Sequence, residues 1–222
     1  MARCSTTTDY RRSARLRGIV LVTTPRSTML IAIEGLDQSG KATQAERLRD
    51  HLRGEGARAR LVSFPDYGTS IGEEIARALQ GEREYGPEAM QLLYVANRYE
   101  RKADLERWLS GGLTVVCDRY VASSIAYGVA QGLDADWLSD IQRFLPCAEL
   151  TILLDIDPAL AAERKSAGRD RYERDLDLLK RVRASYLDQA ERSNWVCVDG
   201  NRSKDDVTGE IISVVTARFS QA

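Results

Sequence analysis

Lys41 lies in a run whose residue types and spacing suit the handling of phosphate: Ile31-Ala32-Ile33-Glu34-Gly35-Leu36-Asp37-Gln38-Ser39-Gly40-Lys41-Ala42-Thr43. The pattern Gly-x-x-x-x-Gly-Lys lets the backbone wrap an anion with successive N–H groups turned inward. The lysine then reaches the β and γ phosphates of a nucleoside triphosphate. The hydroxyl that usually follows the lysine as a Mg²⁺ ligand is replaced by Ala42, with Thr43 one position later. A glycine turn beside a solvated lysine is the plain alternative. A strand-like run before the loop and a helical pattern after it favour phosphate binding.

Three further groups carry chemistry. Asp118-Arg119 follows an apolar strand-like run: the carboxylate suits Mg²⁺, directly or through water, and the guanidinium matches phosphate oxygens. A helix cap with a salt bridge would use the same two residues. The segment Glu163 to Arg174 holds five cations and one glycine. It reads either as a solvated helix surface or as a mobile lid whose arginines neutralise charge during phosphoryl transfer. Tyr94 and Arg98, spaced i and i+4, share one helix face and could stack on a nucleobase and bond its edge. Core packing with a surface arginine fits that spacing equally well.

The elements that must position these groups alternate. Strands are expected at 30–34, 59–63, 113–117, 150–155 and 195–198. Helices are expected at 42–53, 71–80, 87–109, 122–131, 136–145, 158–166, 173–192 and 204–219. Asp157-Pro158 supplies a cap and a first-turn proline. Short apolar strands separated by helices predict an α/β fold, a five-stranded parallel sheet flanked by helices. Ligands in such sheets lie beyond the C-terminal strand ends, where the loop, Phe64 to Gly68, Asp118 to Tyr120 and Asp155 to Asp157 would converge.

Composition narrows the partners. Residues 1–28 hold six arginines against Asp9, a surplus of +5 that leaves −6 for the remainder of a chain of net charge −1. No basic field covers the body, so nucleic acid is not an expected partner. Residues 1–28 read as an extension, disordered or preceding a true start at Met29, in preference to a transit peptide. Residues 29–222 read as one domain. Four cysteines without Cys-x-x-Cys spacing point to a reducing, cytoplasmic setting. His51 is the only histidine, which removes most zinc sites and Ser-His-Asp hydrolysis. No apolar run is long enough to span a membrane.

Taken together, four motifs resemble the thymidylate kinase family, the P-loop nucleoside monophosphate kinases that make dTDP from dTMP and ATP. They are Glu34 to Lys41, Phe64-Pro65-x-Tyr67-Gly68, Leu93-Tyr94-x-Ala96-Asn97-Arg98 and Asp118-Arg119-Tyr120-Val121-Ala122-Ser123-Ser124-x-x-Tyr127. The resemblance runs over residues 29–220 and implies ATP and Mg²⁺ as cofactors, dTMP as acceptor and a homodimer. It implies that Gly35 through Thr43 hold the nucleotide and that Lys41, Arg119, Asp37 and Arg169 are catalytic. Lys165 and Arg171 join the nucleotide side, as lid cations replacing the loop arginine that Gln38 and Ser39 lack. Asp37 and Asp118 attend the metal, and Asp37 also the sugar 3′-hydroxyl. Tyr94 stacks on thymine, Arg98 bonds its edge and Ser124 faces it; Tyr127 crowds the sugar 2′ side. Phe64, Tyr67, Asn97, Arg119 and Ser123 complete the acceptor side. Kinases for another nucleotide, nucleoside or small acid, or an inactive nucleotide-binding regulator, are the competing readings.

Overall fold

The computed structural model describes residues 28–164 and 175–221. Five parallel strands form one sheet: β1 Leu30–Gly35, β2 Ala59–Ser63, β3 Thr114–Asp118, β4 Leu150–Asp155 and β5 Val196–Asp199. Their order is β2-β3-β1-β4-β5. The chain leaves β1 toward one edge, returns through β3 and crosses to β4 on the far side. Strand order therefore reverses at β1, and the crevice at that reversal lies above Gly35 and Asp118.

The helices are α1 Lys41–Gly54, α2 Ser70–Gln80, α3 Pro87–Glu100, α4 Lys102–Ser110, α5 Val121–Ala130, α6 Ala135–Asp140, α7 Pro158–Glu163, α8 Leu176–Ser193 and α9 Lys204–Gln221. Every residue of β1 is buried. Its alternation sends Ile31 and Ile33 to one face, against Leu48 of α1 and Ile211 and Val215 of α9. Leu30 and Ala32 face the other way, with Leu105 of α4. Beside them on that second face, Leu153 packs with Ala126 of α5 and Val182 of α8. Each such leucine, isoleucine or valine contributes about 1.5–3 kcal/mol by leaving water, and the two-sided burial fixes β1 as the central strand.

The expected helix 87–109 is two helices with a turn at Arg101. There the N–H of Arg101 bonds Arg98 O at 3.1 Å, a tight i−3 closure, while its guanidinium is drawn to Asp66 at 2.6 Å. The expected helix 136–145 ends at Asp140 and continues as tight turns, such as Leu145 N to Gln142 O at 3.0 Å. Asp157 caps α7 as expected, its Oδ1 accepting from Ala159 N at 2.7 Å.

Candidate active site

β1 ends at Gly35, whose φ of +143° and surroundings exclude a side chain: a Cβ there would meet Leu154 O at 2.5 Å. Gly40, at φ +95°, precedes α1, which carries no side-chain cap and no acidic residue in its first turn. The positive end of α1 is thus left for an anion. Lys41 is buried, and its Nζ donates to Leu36 O at 2.6 Å. Burial, joined by the charge of Arg119, brings the Lys41 ammonium down to about 8 against the opposing pull of Asp37, Asp118 and Glu34. From the end of α7, Arg164 donates to Gln38 O at 3.2 Å and to Gly200 O at 3.1 Å, bracing the loop against the turn after β5.

Arg119 follows β3 in left-handed backbone, φ 65°, a conformation that costs a non-glycine residue about 1–3 kcal/mol and gathers at functional positions. Its N–H still donates to Ile33 O at 3.0 Å, which holds the turn against β1. The guanidinium pairs with Asp37 and reaches Gly35 O at 3.2 Å, Ser123 Oγ at 3.2 Å and the Tyr186 hydroxyl at 3.3 Å. Burial opposes the charge on Arg119, yet Asp37 and the neighbouring tyrosines and Asp118 hold its pKa well above the ordinary value. Burial likewise opposes Asp37, but Arg119, Lys41 and the hydroxyl of Tyr127, donating at 2.9 Å, keep its carboxyl well below the usual carboxylate range. Beneath them Glu34, fully buried, accepts from Tyr120 N at 2.8 Å, Ser123 Oγ at 2.6 Å and the Tyr186 hydroxyl at 3.1 Å.

Next to Asp37 lies a pocket open to solvent, with about 530 Å³ of empty space that includes its mouth. Phe64, Pro65 and Tyr67 enter it from the turn after β2, and Leu79 from α2. Gln91, Tyr94 and Arg98 come from α3, and Ser123, Ser124 and Tyr127 from α5, with Arg119 beside Asp37. Arg98 is buried, and its Nη1 donates to Ser124 Oγ at 2.7 Å and to Gln142 Oε1 at 3.2 Å. Burial draws the Arg98 pKa below its ordinary value, with Glu34 the leading charge that opposes this.

Among the described residues, buried side-chain atoms without a hydrogen-bond partner belong to Ser39, Gln91, Arg98 and Asp118. All four residues lie on the loop, in the pocket wall or at the end of β3. Folded proteins satisfy such atoms elsewhere, so their gathering on one cleft marks where polar groups of a ligand belong.

The structure therefore brings Asp37, Phe64, Tyr67, Tyr94, Arg98, Arg119, Ser123, Ser124 and Tyr127 around one space. Asn97 is not among its walls. Its amide is spent on Asp66 N at 2.7 Å, Asp66 O at 3.1 Å and Thr69 Oγ1 at 2.9 Å, so it shapes the turn after β2 from behind. Lys165, Arg169 and Arg171, and with them the lid, lie outside the described residues. Sequence reasoning missed Gln91 and Leu79 in the wall and the supporting pair Glu34 and Tyr186. Gln91 was discoverable, since it precedes Tyr94 by three and shares its helix face. Tyr186 offers no local signal.

The thymidylate kinase family model matches residues 33–211. The chain is 35% identical over 192 residues to the thymidylate kinase of Schizosaccharomyces pombe, covering 84% of this chain and 91% of that one. It is 34% identical over 188 residues to the human thymidylate kinase, covering 84% and 89%. The solved thymidylate kinase of Candida albicans superposes with a TM-score of 0.77 at 30% identity, covering 86% of this chain and 92% of that one. A Gly-x-x-x-x-Gly-Lys loop joined through Asp37 to a walled pocket, on a chain that matches these relatives over most of its length, makes this protein a member of the thymidylate kinase family.

Proposed function

We propose that this protein transfers the γ-phosphoryl group of ATP to dTMP, giving dTDP and ADP, and so serves dTTP synthesis. The observation that carries the reading is the shared position of Asp37, which belongs to the phosphate loop and also lines the pocket of Tyr94 and Arg98. Family membership brings a nucleotide phosphate donor, and the loop Gly35 to Thr43 with Lys41 is built to hold its phosphates.

The acceptor needs no general base, because a monophosphate oxygen is already anionic near neutral pH. That oxygen attacks the γ-phosphorus in line; the new O–P bond forms as the bond to the β-phosphate oxygen breaks, and ADP departs with that electron pair. Lys41 and Arg119 oppose the charge spread over the transferring group. Tyr94 stacks on the base, Arg98 bonds its edge, and Phe64 and Pro65 close the wall behind it. Asp37 and Tyr127 face the sugar, with Ser123 and Ser124 holding the two arginines in place.

Asp118 fits a Mg²⁺ ligand, since its Oδ1 is buried without a partner. Asp37 fits that duty poorly, because Arg119 and Tyr127 engage its two oxygens, and Ala42 offers no ligand atom. Mg²⁺ held there would neutralise phosphate charge. A homodimer is what the family resemblance implies; a monomeric mass in solution would remove it. Cys117, Cys147 and Cys197 are free thiols, which suits a reducing compartment such as the cytoplasm. No described helix is long and apolar enough to cross a membrane.

An ADP-release assay with dTMP, dUMP, dCMP and ribothymidine monophosphate side by side tests the reading. dTMP should give the highest kcat/KM. A better rate with another acceptor, or no ADP release with any, would overturn it.

A further inference from the structure

We infer that Gln91 reads the acceptor's base, a specificity role that rests on the dTMP reading above and adds a second edge contact to that of Arg98. Four carboxamide side chains are buried among the described residues: Gln44, Gln91, Asn97 and Gln142. Three of them are spent on the fold. Gln44 donates to Lys204 O at 3.0 Å and accepts from Thr208 Oγ1 at 2.7 Å. Asn97 accepts from the backbone N–H of Asp66 and donates to its backbone carbonyl. Gln142 donates to Leu138 O at 2.8 Å and accepts from Arg98. Gln91 is 1% exposed, yet neither its Nε2 nor its Oε1 has a partner.

An amide left so is unfavourable in the folded chain unless something arrives to meet it. Gln91 lines the same pocket as Tyr94 and Arg98 and lies on their face of α3, one turn before the ring and two before the guanidinium. Seven residues of helix rise about 10 Å, which leaves room for a six-membered ring between the two side chains. Arg98 can only donate, and its Nε is also without a partner. A carboxamide donates and accepts side by side, which matches the neighbouring C=O and N–H groups of a pyrimidine-2,4-dione. Nε2 of Gln91 donates to a ring carbonyl and Oε1 accepts from the ring N3–H.

Titration calorimetry on wild type and Q91M separates this role from a structural one. The probes are dTMP, ATP and 2-deoxyribose 5-phosphate, which carries the sugar and phosphate without the base. Q91M should bind dTMP about tenfold more weakly and bind ATP and deoxyribose phosphate as wild type does. Its unfolding temperature without ligand should equal or exceed that of wild type, because the unmet amide is gone. Unchanged dTMP affinity, or an equal loss for dTMP and deoxyribose phosphate, would overturn the inference. N3-methyl-dTMP on the wild-type chain keeps the claim exposed even if Q91M does not fold: affinity equal to that of dTMP overturns it. If wild type binds dTMP no better than deoxyribose phosphate, base selection by this pocket fails altogether. If wild type prefers dTMP and Q91M keeps the preference, only Gln91 falls.

Discussion

The two ends of the cleft are built by different means. The end proposed to hold phosphate is made by backbone: Gly35 and Gly40 in positive φ, the uncapped N-terminus of α1 and one cation, all within seven residues. The end proposed to hold the acceptor is made by side chains from α2, α3, α5 and the turns after β2 and β3, brought together across more than sixty residues of chain. A phosphate is the same in every nucleotide, so a grip made of peptide groups suffices for it. A base must be told from other bases, and only side chains carry that distinction.

Four experiments would break or sharpen this contrast. The largest effect is expected for Lys41→Ala, which should lower kcat about 10²- to 10³-fold and weaken nucleotide binding whatever the acceptor. Its folded pKa of about 8 lies below the lysine value of 10.5, so the buried charge disfavours the fold below pH 8, and this penalty fades as pH rises toward 10.5. The variant's unfolding temperature at pH 7 should therefore stay level or rise; near-wild-type turnover would break the assignment.

Next, Arg98→Ala should raise the dTMP KM about 10- to 100-fold, since a buried charged donor is lost, with the ATP KM within about twofold on the same reasoning. Steady-state kinetics varying each substrate reads both values. Equal losses would erase the division between the two ends.

A pH profile comes third. In the free enzyme Lys41 loses its proton above about 8, so kcat/KM for ATP should fall as pH rises through that value. kcat should stay level further into the alkaline range, because bound phosphates favour the protonated lysine. A profile flat to pH 9.5 would show that the charge of Lys41 is not what the nucleotide senses.

The smallest effect is expected for Tyr127→Phe, which removes one hydrogen bond to Asp37 while Arg119 still holds it. About threefold in kcat/KM for dTMP is expected from a single such bond. A hundredfold loss would make Tyr127 part of the catalytic machinery.

The same division governs what the sequence discloses. The loop, the five strands and the Asp157-Pro158 cap follow from local patterns, and the strands fall within a residue or two of the expected ranges. The family resemblance named most of the pocket wall. Asn97 misled because a buried amide beside Arg98 looks the same in sequence whether it faces a ligand or the backbone of Asp66. The break at Arg101 stayed hidden because the partner that its guanidinium meets there, Asp66, sits 35 residues away. Glu34 and Tyr186 were illegible for the same reason: their bond spans 152 residues, and no window along the chain contains it.

The left-handed turn at Arg119 has an effect on substrate handling that reaches past its own geometry. By folding with this guanidinium already fixed against Asp37, Gly35 O, Ser123 and Tyr186, the protein settles the place of a positive charge before any nucleotide arrives. On the function proposed above, an incoming phosphate meets a cation already in place, so part of the reorganisation that opposes charge transfer in solution has been completed during folding.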